Sequence, residues 1–116
     1  MTINRPNWFD EFPGSITICD PDGIILDMND RAAQGFQDDG GRVLFGKSML
    51  ECHPEPARTK LAELLKTHQK NVYTIEKQGV WKLVYQTPWF AAGAYQGLIE
   101  FVLEIPAEMP HFIRNP

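Results

Sequence analysis

Three histidines and two cysteines are the side chains of this chain with the widest chemical scope. His68 ends an apolar stripe with helical spacing, and a neutral imidazole in such a place can ligate a metal. A histidine at the end of a helix can instead cap the last carbonyl groups or favour the helix dipole. His53 stands in the motif CHPEP ahead of the same helix, where its imidazole can also bond to the backbone. We expect His111 to be exposed near the end of the chain.

The spacing of the other reactive groups excludes several kinds of site. Cys19 and Cys52 lack metal-ligand spacing, and we expect both to be reduced, with Cys52 a buried structural thiol. The acidic stretch DPDGIILDMND resembles a calcium loop, but Gly23 is fourth and Arg31 twelfth where such a loop needs glycine sixth and glutamate twelfth. No catalytic triad, phosphate-binding glycine loop or convergent carboxylate pair can be placed. The sequence therefore predicts a protein that is not an enzyme.

Length and composition indicate one compact globular domain. The chain has 116 residues, of which 43% are hydrophobic and 22% are charged. A net charge of -4 disfavours binding to the phosphates of nucleic acid. No apolar run approaches the roughly 20 residues that span a bilayer, and the N-terminus lacks the features of a secretion signal. We expect a cytoplasmic protein without a nucleic-acid or membrane partner.

The stretch SITICDPDGIILDMNDRAA, residues 15–33, predicts a hairpin followed by a helix. Alternating apolar residues on each side of a DPDG turn favour two short strands. Asn29 or Asp30 can then cap the first amide groups of the helix. This stretch closely resembles the opening of the PAS sensor fold, in which a D-x-x-G turn joins two strands and an asparagine opens a helix with small residues. The matching residues are Asp20, Gly23, Asn29, Ala32 and Ala33.

The remaining elements follow the PAS order. The stretch GKSML resembles the segment that leads into the long connecting helix of PAS domains, and Pro54 and Pro56 suit the entry to that helix. The helix is amphipathic, with an apolar stripe formed by Ala57, Leu61, Leu64, Leu65 and His68. Strand-like runs follow at residues 71–77, 80–90 and 96–105, with turns at Gly79 and Gly93. The predicted fold class is α+β, a five-stranded antiparallel sheet with helices on one face and the element order β-β-α-α-α-β-β-β.

We assign residues 1–12 to an N-terminal cap segment, residues 13–106 to the PAS domain and residues 107–116 to an irregular C-terminal tail. The aromatic side chains of the cap segment either close the core or form a dimer contact. The proline-rich tail does not resemble the helical linker through which PAS domains drive a kinase, so we expect a signalling protein partner in trans. The motifs CHPEP and YQGLIE are similar to the PAS module downstream of hemerythrin-like domains in bacterial proteins.

The PAS resemblance implies a pocket between the sheet and the central helices, which holds haem, flavin, a small metabolite or only packed side chains. Because haem-binding PAS domains present an axial histidine from the long helix, His68 and then His53 are the candidate haem ligands. Flavin is disfavoured, because the motif G-x-N-C-R-F-L-Q is missing around Cys52. The predicted pocket lining comes from the strands and the long helix: Ile18, Leu26, Leu61, Leu65, Tyr73, Trp81, Leu83, Tyr85, Ile99 and Phe101.

The resemblance implies a sensory or signal-transduction domain that binds a small ligand or a partner and signals by protein contact. We expect a homodimer formed through the N-terminal cap or a sheet face. One alternative is a pure dimerisation or docking module whose core is filled by side chains. Another is a haem-based redox or gas sensor. An enzyme on a cone-shaped α+β sheet is disfavoured by the hairpin that begins at Ser15.

Overall fold

The computed structural model describes residues 5–35 and 41–116. Five strands form one antiparallel sheet: β1 (Ser15–Cys19), β2 (Ile25–Met28), β3 (Asn71–Lys77), β4 (Val80–Ala91) and β5 (Ala94–Ile105). Their order across the sheet is β2-β1-β5-β4-β3. The helices α1 (Asp30–Gly35) and α2 (Ala57–Thr67) lie in the connection between β2 and β3. The predicted α+β fold with a five-stranded antiparallel sheet is confirmed.

The described part of the connection between β2 and β3 contains two α-helices, α1 and α2, where the sequence predicted three. It also contains two 3₁₀ segments, Gly41–Leu44 and Met49–Cys52. Gly46 adopts a φ of 82°, and the Ser48 hydroxyl accepts a hydrogen bond from the amide of Leu50 at 3.2 Å. Both features favour a short turn over a continuing helix, and Pro54 has no amide to extend one. Helix α2 begins directly after Pro56, as predicted.

The turn between β1 and β2 is held by Asp20. Its carboxylate accepts hydrogen bonds from the amides of Asp22 and Ile24, both at 2.9 Å. The backbone carbonyl of Asp20 accepts a third from Gly23, whose φ of 84° suits glycine. The acidic stretch that resembles a calcium loop is therefore a hairpin turn closed by its own first carboxylate.

Asn29 joins the N-terminal strand to helix α1. Its side-chain oxygen accepts hydrogen bonds from the amides of Ile16 at 3.0 Å and Ala32 at 3.1 Å. Its side-chain nitrogen donates to the carbonyl of Gly14 at 2.8 Å. The predicted helix cap is thus confirmed, and the same fully buried side chain also fixes the start of β1.

Both faces of the sheet are covered. The helix-facing core consists of Cys19, Ile25, Met28, Ala32, Leu44, Met49, Leu61, Leu64, Leu65 and Leu98. The outer core, on the other face, consists of Phe9, Ile16 and Ile18, with Phe12, Trp89, Ile99 and Phe101 packed against them. Phe9 is 5% exposed and Trp8 is 56% exposed. The segment before β1 therefore closes a core on the face of the sheet opposite the helices.

Strand β5 passes very close to the β1–β2 turn at Gly97. This glycine has a φ of 132°, and a Cβ atom there would overlap the carbonyl oxygen of Cys19. The indole N–H of Trp89 donates to the same carbonyl at 3.2 Å. The pairing of β4 with β5 shifts by one residue between Trp89 and Phe90. Only glycine fits this position, because it combines a close approach with a left-handed backbone.

None of the helices in the described ranges is long and apolar enough to cross a membrane. Residues 106–116 form neither helix nor strand, and their side chains are exposed. His111 lies in this exposed tail.

Candidate functional site

The carboxylate of Glu100 lies at the centre of the helix-facing side of the sheet. Glu100 is only 6% exposed. It pairs with Thr17 on β1 and with Gln86 on β4, and both of these neighbours are also buried. Because a buried carboxylate is costly without hydrogen bonds or an opposite charge, its partners decide whether this arrangement is stable.

Two side chains approach the same oxygen of Glu100. The side-chain nitrogen of Gln86 donates to Oε2 at 2.7 Å, and Nε2 of His53 lies 3.5 Å from that oxygen. Asn71 in turn donates to the side-chain oxygen of Gln86 at 2.9 Å. We call Asn71, Gln86, Glu100 and His53 the polar cluster. It ties three strands to the segment that precedes α2.

The environment of His53 favours the protonated imidazole. Nδ1 lies 2.8 Å from the carbonyl oxygen of Met49, so this nitrogen carries a hydrogen and donates. Nε2 then faces the Glu100 carboxylate and can donate to it only when the ring is protonated. The hydrogen bond to Glu100 raises the pKa of His53 above 6.5, against the opposing effect of burial. Protonation therefore strengthens the contact between His53 and the sheet.

A cavity of about 200 Å³ opens beside the polar cluster, between the sheet and α1. Its lining combines polar groups from β1, β4 and β5 with small residues of the helix: Ser15, Thr17, Ala32, Gly35, His53, Lys82, Glu100 and Val102. A neighbouring cavity of about 270 Å³ shares Lys82 and also contacts Arg31 and Glu104. Ligand pockets for drug-sized molecules are typically about 300–1,000 Å³. The cavity beside Glu100 suits a small polar molecule.

His68 does not lie on the apolar stripe where the sequence placed it. Helix α2 ends at Thr67, and His68 follows as a left-handed cap with a φ of 58°. Its amide donates to the carbonyl of Leu64 at 2.9 Å. Its exposed ring stacks on Tyr95, with 3.5 Å between the ring centroids. His68 caps the helix through its backbone amide, and as a left-handed residue it leaves the helical periodicity.

Of the two candidate haem ligands, His53 has no ring nitrogen left for iron, because both contact protein groups, the Met49 carbonyl and the Glu100 carboxylate. The exposed ring of His68 stacks on Tyr95. An axial ligand needs one nitrogen directed at the iron. In the part of the chain that the structure describes, no three His, Cys, Asp or Glu side chains are grouped as metal ligands.

The two cysteines are free thiols in different environments. Cys19 is fully buried, and desolvation raises the pKa of its thiol to about 12. It is therefore an unreactive core residue at neutral pH. Cys52 is half-buried rather than buried, and its sulfur lies 3.9 Å from the carbonyl oxygen of Ser48.

The ten residues predicted to line a pocket are divided between the two faces of the sheet. Leu61 and Leu65 pack in the helix-facing core, and Tyr73 lies on the same face of edge strand β3. Leu26 is half-buried at the irregularity in the β1–β2 pairing. The pairing register places the other six on the outer face: Ile18, Trp81, Leu83, Tyr85, Ile99 and Phe101. The set does not surround one cavity, and ligand binding by its members stays a prediction.

Three polar residues of the cavity wall, Thr17, Lys82 and Glu100, and the Glu100 partner Gln86 were not predicted from the sequence. Their signal is present in the chain, since Gln86 and Glu100 stand at similar distances from the tight turn that joins β4 to β5. A hairpin brings such residues side by side on one face. Two polar residues that face each other near the middle of such a hairpin therefore indicate a site on that face.

This sheet order, with the described α-helices in the connection after the first hairpin, defines a small domain of the α+β class. A family model described as PAS fold matches residues 9–108, and the chain belongs to this family. PAS domains are sensory modules that are common in signal transduction. Among curated proteins, none matches the chain.

Solved structures support the same fold. A C-terminal domain from Streptococcus mutans is 24% identical, with a TM-score of 0.64 over 83% of this chain and 78% of that one. The PAS domain of BvgS from Bordetella pertussis is 22% identical, with a TM-score of 0.59 over 84% and 80%. A dual PAS-heme oxygen sensor receptor from Vibrio cholerae is 19% identical, with a TM-score of 0.55 over 79% and 94%. At these identities the likeness shows the fold alone.

Proposed function

We propose that this chain is the sensory domain of a signal-transduction protein, binding a small molecule in the cavity beside Glu100 and signalling by protein contact. The observation that supports the proposal is the position of the polar cluster at the cavity wall. A carboxylate and an imidazole in a core are costly, and apolar residues of similar volume are often as stable or more stable. Their presence beside a cavity is accounted for if they contact a ligand.

Strand β5 connects the cavity to the surface formed by the N-terminal segment. A ligand that bonds to Glu100 acts on β5 and on the contact of that strand with His53. The next residues along β5, Ile99 and Phe101, pack on the outer face against the segment that contains Phe9. A small displacement of β5 would therefore change the surface formed by the N-terminal segment, and a partner selective for one arrangement would shift the population.

Thermal unfolding of the purified protein against a library of small metabolites tests this function. We expect at least one compound to raise the unfolding midpoint, because a ligand that binds only the folded state stabilises it. Native mass spectrometry should then show a one-to-one complex. Replacing Lys77, an exposed residue at the end of β3, with Met provides a control that should respond like the wild type. No stabilising compound, and no bound mass, would contradict the proposal.

A pure docking or dimerisation module is the second candidate. Edge strand β3 and its turn expose Val72, Tyr73, Ile75 and Val80 by 40–49% each, and exposed edge strands readily pair with another chain. Light scattering after size exclusion distinguishes the candidates when it is run on wild type and on Ile75→Lys. A wild-type dimer that Ile75→Lys converts to a monomer, without any ligand in the library screen, would favour docking alone.

The proposal also includes a homodimer through the N-terminal cap or a sheet face, a bacterial source, a cytoplasmic location and no enzymatic activity. Two free cysteines suit a reducing compartment. An absorption spectrum of protein purified without added cofactor tests the haem alternative. A strong band near 400 nm would favour the gas or redox sensor over the metabolite sensor.

A further inference from the structure

We infer that the cavity beside Glu100 selects a small zwitterion, a molecule that carries a protonated amine at one end and a carboxylate at the other. The inference rests on the proposed ligand-binding function of the same cavity. It goes further by assigning a chemical class from the charges and hydrogen-bonding groups that face the cavity space.

One oxygen of Glu100 is left for a ligand. Gln86 and His53 both approach Oε2. Within residues 5–35 and 41–116, the other oxygen, Oε1, has no hydrogen-bond partner. Every fully enclosed side-chain nitrogen or oxygen in these ranges does have a partner, so Oε1 is accessible, and Glu100 lines the cavity. A carboxylate oxygen accepts only, and a protonated amine is its strongest donor.

Thr17 offers a second group beside Glu100. The residue is 1% exposed and lines the cavity. Its hydroxyl has no partner among the described residues, and by the same argument it is accessible. A ligand amine that bonds to Glu100 can also bond to this hydroxyl, since Thr17 and Glu100 are cross-strand neighbours.

The opposite charge lies at the other end of the cavity. Lys82 pairs with Glu104 across β4 and β5, four positions from the pair formed by Gln86 and Glu100. Four residues of a strand span about 13 Å. The long side chains of Lys82 and Glu100 can bring the amine and the carboxylate closer together than this. No carboxylate of the described residues lies within ion-pair distance of the Lys82 amine. The Lys82 amine and the Ser15 hydroxyl can therefore both bind a ligand carboxylate.

The test uses a matched set of probes with isothermal titration calorimetry on the full chain. Glycine, β-alanine and γ-aminobutyrate vary the distance between amine and carboxylate, and butylamine and butyrate each keep only one charge. We expect one zwitterion to bind at least about tenfold more tightly than either single-charge probe, since each charged contact is worth that factor or more.

Three variants locate the binding. Glu100→Gln should weaken the zwitterion at least about tenfold and leave butyrate unchanged, and Lys82→Met should weaken it similarly and leave butylamine unchanged. Thr17→Val keeps the shape of the side chain and should weaken the zwitterion without lowering the unfolding midpoint of the free protein, because the hydroxyl has no partner among the described residues. A residue with only a structural role would not lose ligand affinity at unchanged stability. The control Lys77→Met should keep the wild-type affinity.

The outcomes separate the inference from the proposed function. Equal binding of butyrate and the zwitterions, or unchanged zwitterion binding in Thr17→Val and Glu100→Gln, would overturn the zwitterion assignment. If the library yields an uncharged ligand whose binding is weakened by Thr17→Val, ligand sensing stands and the zwitterion class fails. If neither the probes nor the library bind, both fail.

Discussion

The Asn29 side chain bonds to backbone groups of three segments, namely Gly14 before β1, Ile16 within β1 and Ala32 in α1. All three bonds are buried, so water cannot replace them when the amide is removed. This residue is both the helix cap that the sequence predicts and a link between the N-terminal segment and the sheet that it does not.

Asn29→Ala should lower the free energy of unfolding by about 2–4 kcal/mol, because two amides and one carbonyl lose their buried partner. Urea denaturation followed by tryptophan fluorescence measures the change. Asn7→Ala, at an exposed position of the same residue type, should change stability by less than about 0.5 kcal/mol. Equal effects of the two substitutions would refute this assignment.

The contact of His53 with Glu100 should make stability depend on pH in a defined direction. Since the pKa of His53 is raised in the folded protein, its contribution is complete below about 6.5, the unfolded value, and is lost as pH rises through the folded value. The stability difference between wild type and His53→Gln should therefore be larger at pH 6 than at pH 9. Urea titrations at both values measure it.

A double-mutant cycle assigns this pH dependence. The coupling between His53→Gln and Glu100→Gln should be present at pH 6 and should vanish at pH 9. A coupling energy that stays constant with pH would show that the contact does not depend on protonation of His53.

At the scale of elements, the close contact of β5 with the β1–β2 turn depends on one glycine. Gly97 leaves room for the carbonyl of Cys19, to which Trp89 also donates. Gly97→Ala should lower the free energy of unfolding by at least about 2 kcal/mol, because the new methyl group overlaps this carbonyl and the backbone is left-handed. Thermal and urea unfolding provide the measurement.

Gly35→Ala, in α1, is a control with the same substitution. Among the described residues outside its chain neighbours and its own helix backbone, no atom lies within 4 Å of the position that its Cβ would take. The same substitution should therefore change stability by no more than about 1 kcal/mol, and alanine favours the helix. A loss as large as that in Gly97→Ala would contradict the steric explanation.

The sequence predicted the course of the strands but not which of their faces is inside. Strands β3 to β5 lie where the alternation of apolar residues placed them, within two residues at each end. Alternation along β5 separates an apolar face from a partly polar face with Glu100 and Glu104. The apolar and aromatic face, with Tyr85 and Phe101, was predicted to line the pocket. That face is the outer one, because the N-terminal segment supplies Phe9 to cover it.

The candidate site was less predictable because its residues are distant in sequence. Thr17, His53 and Glu100 come from three parts of the chain, and only the strand register and the turn before α2 bring them together. His53 was identified as a site residue, but its partner Glu100 was not. The predicted place of His68 on the apolar stripe was wrong for a local reason, since one left-handed residue ended the helical periodicity.

At the scale of the whole molecule, the segment before β1 is part of the folded unit. Phe9 is buried against Ile16 and Ile18, and Arg5 bonds to Asp27 of β2 at 3.1 Å. Phe9→Ala should lower the free energy of unfolding by about 3–4 kcal/mol, as for other buried phenylalanines. Trp8→Ala, at the exposed neighbour, should cost less than about 1 kcal/mol.

Equilibrium unfolding in urea measures both of these variants. If Trp8→Ala proves the more damaging, the exposed indole rather than Phe9 would anchor this segment. If neither has an effect, the outer face of the sheet would not depend on the segment.

Successive side chains of strand β5 lie on opposite faces of the sheet. Leu98 and Glu100 lie on the helix-facing side, whereas Ile99 and Phe101 pack in the outer core. Under the proposed function, even-numbered positions of β5 can be redesigned to change ligand chemistry without repacking the outer core. Odd-numbered positions can be redesigned to change a docking surface without altering the cavity lining. The proposed input and output specificities could then diverge separately within one domain.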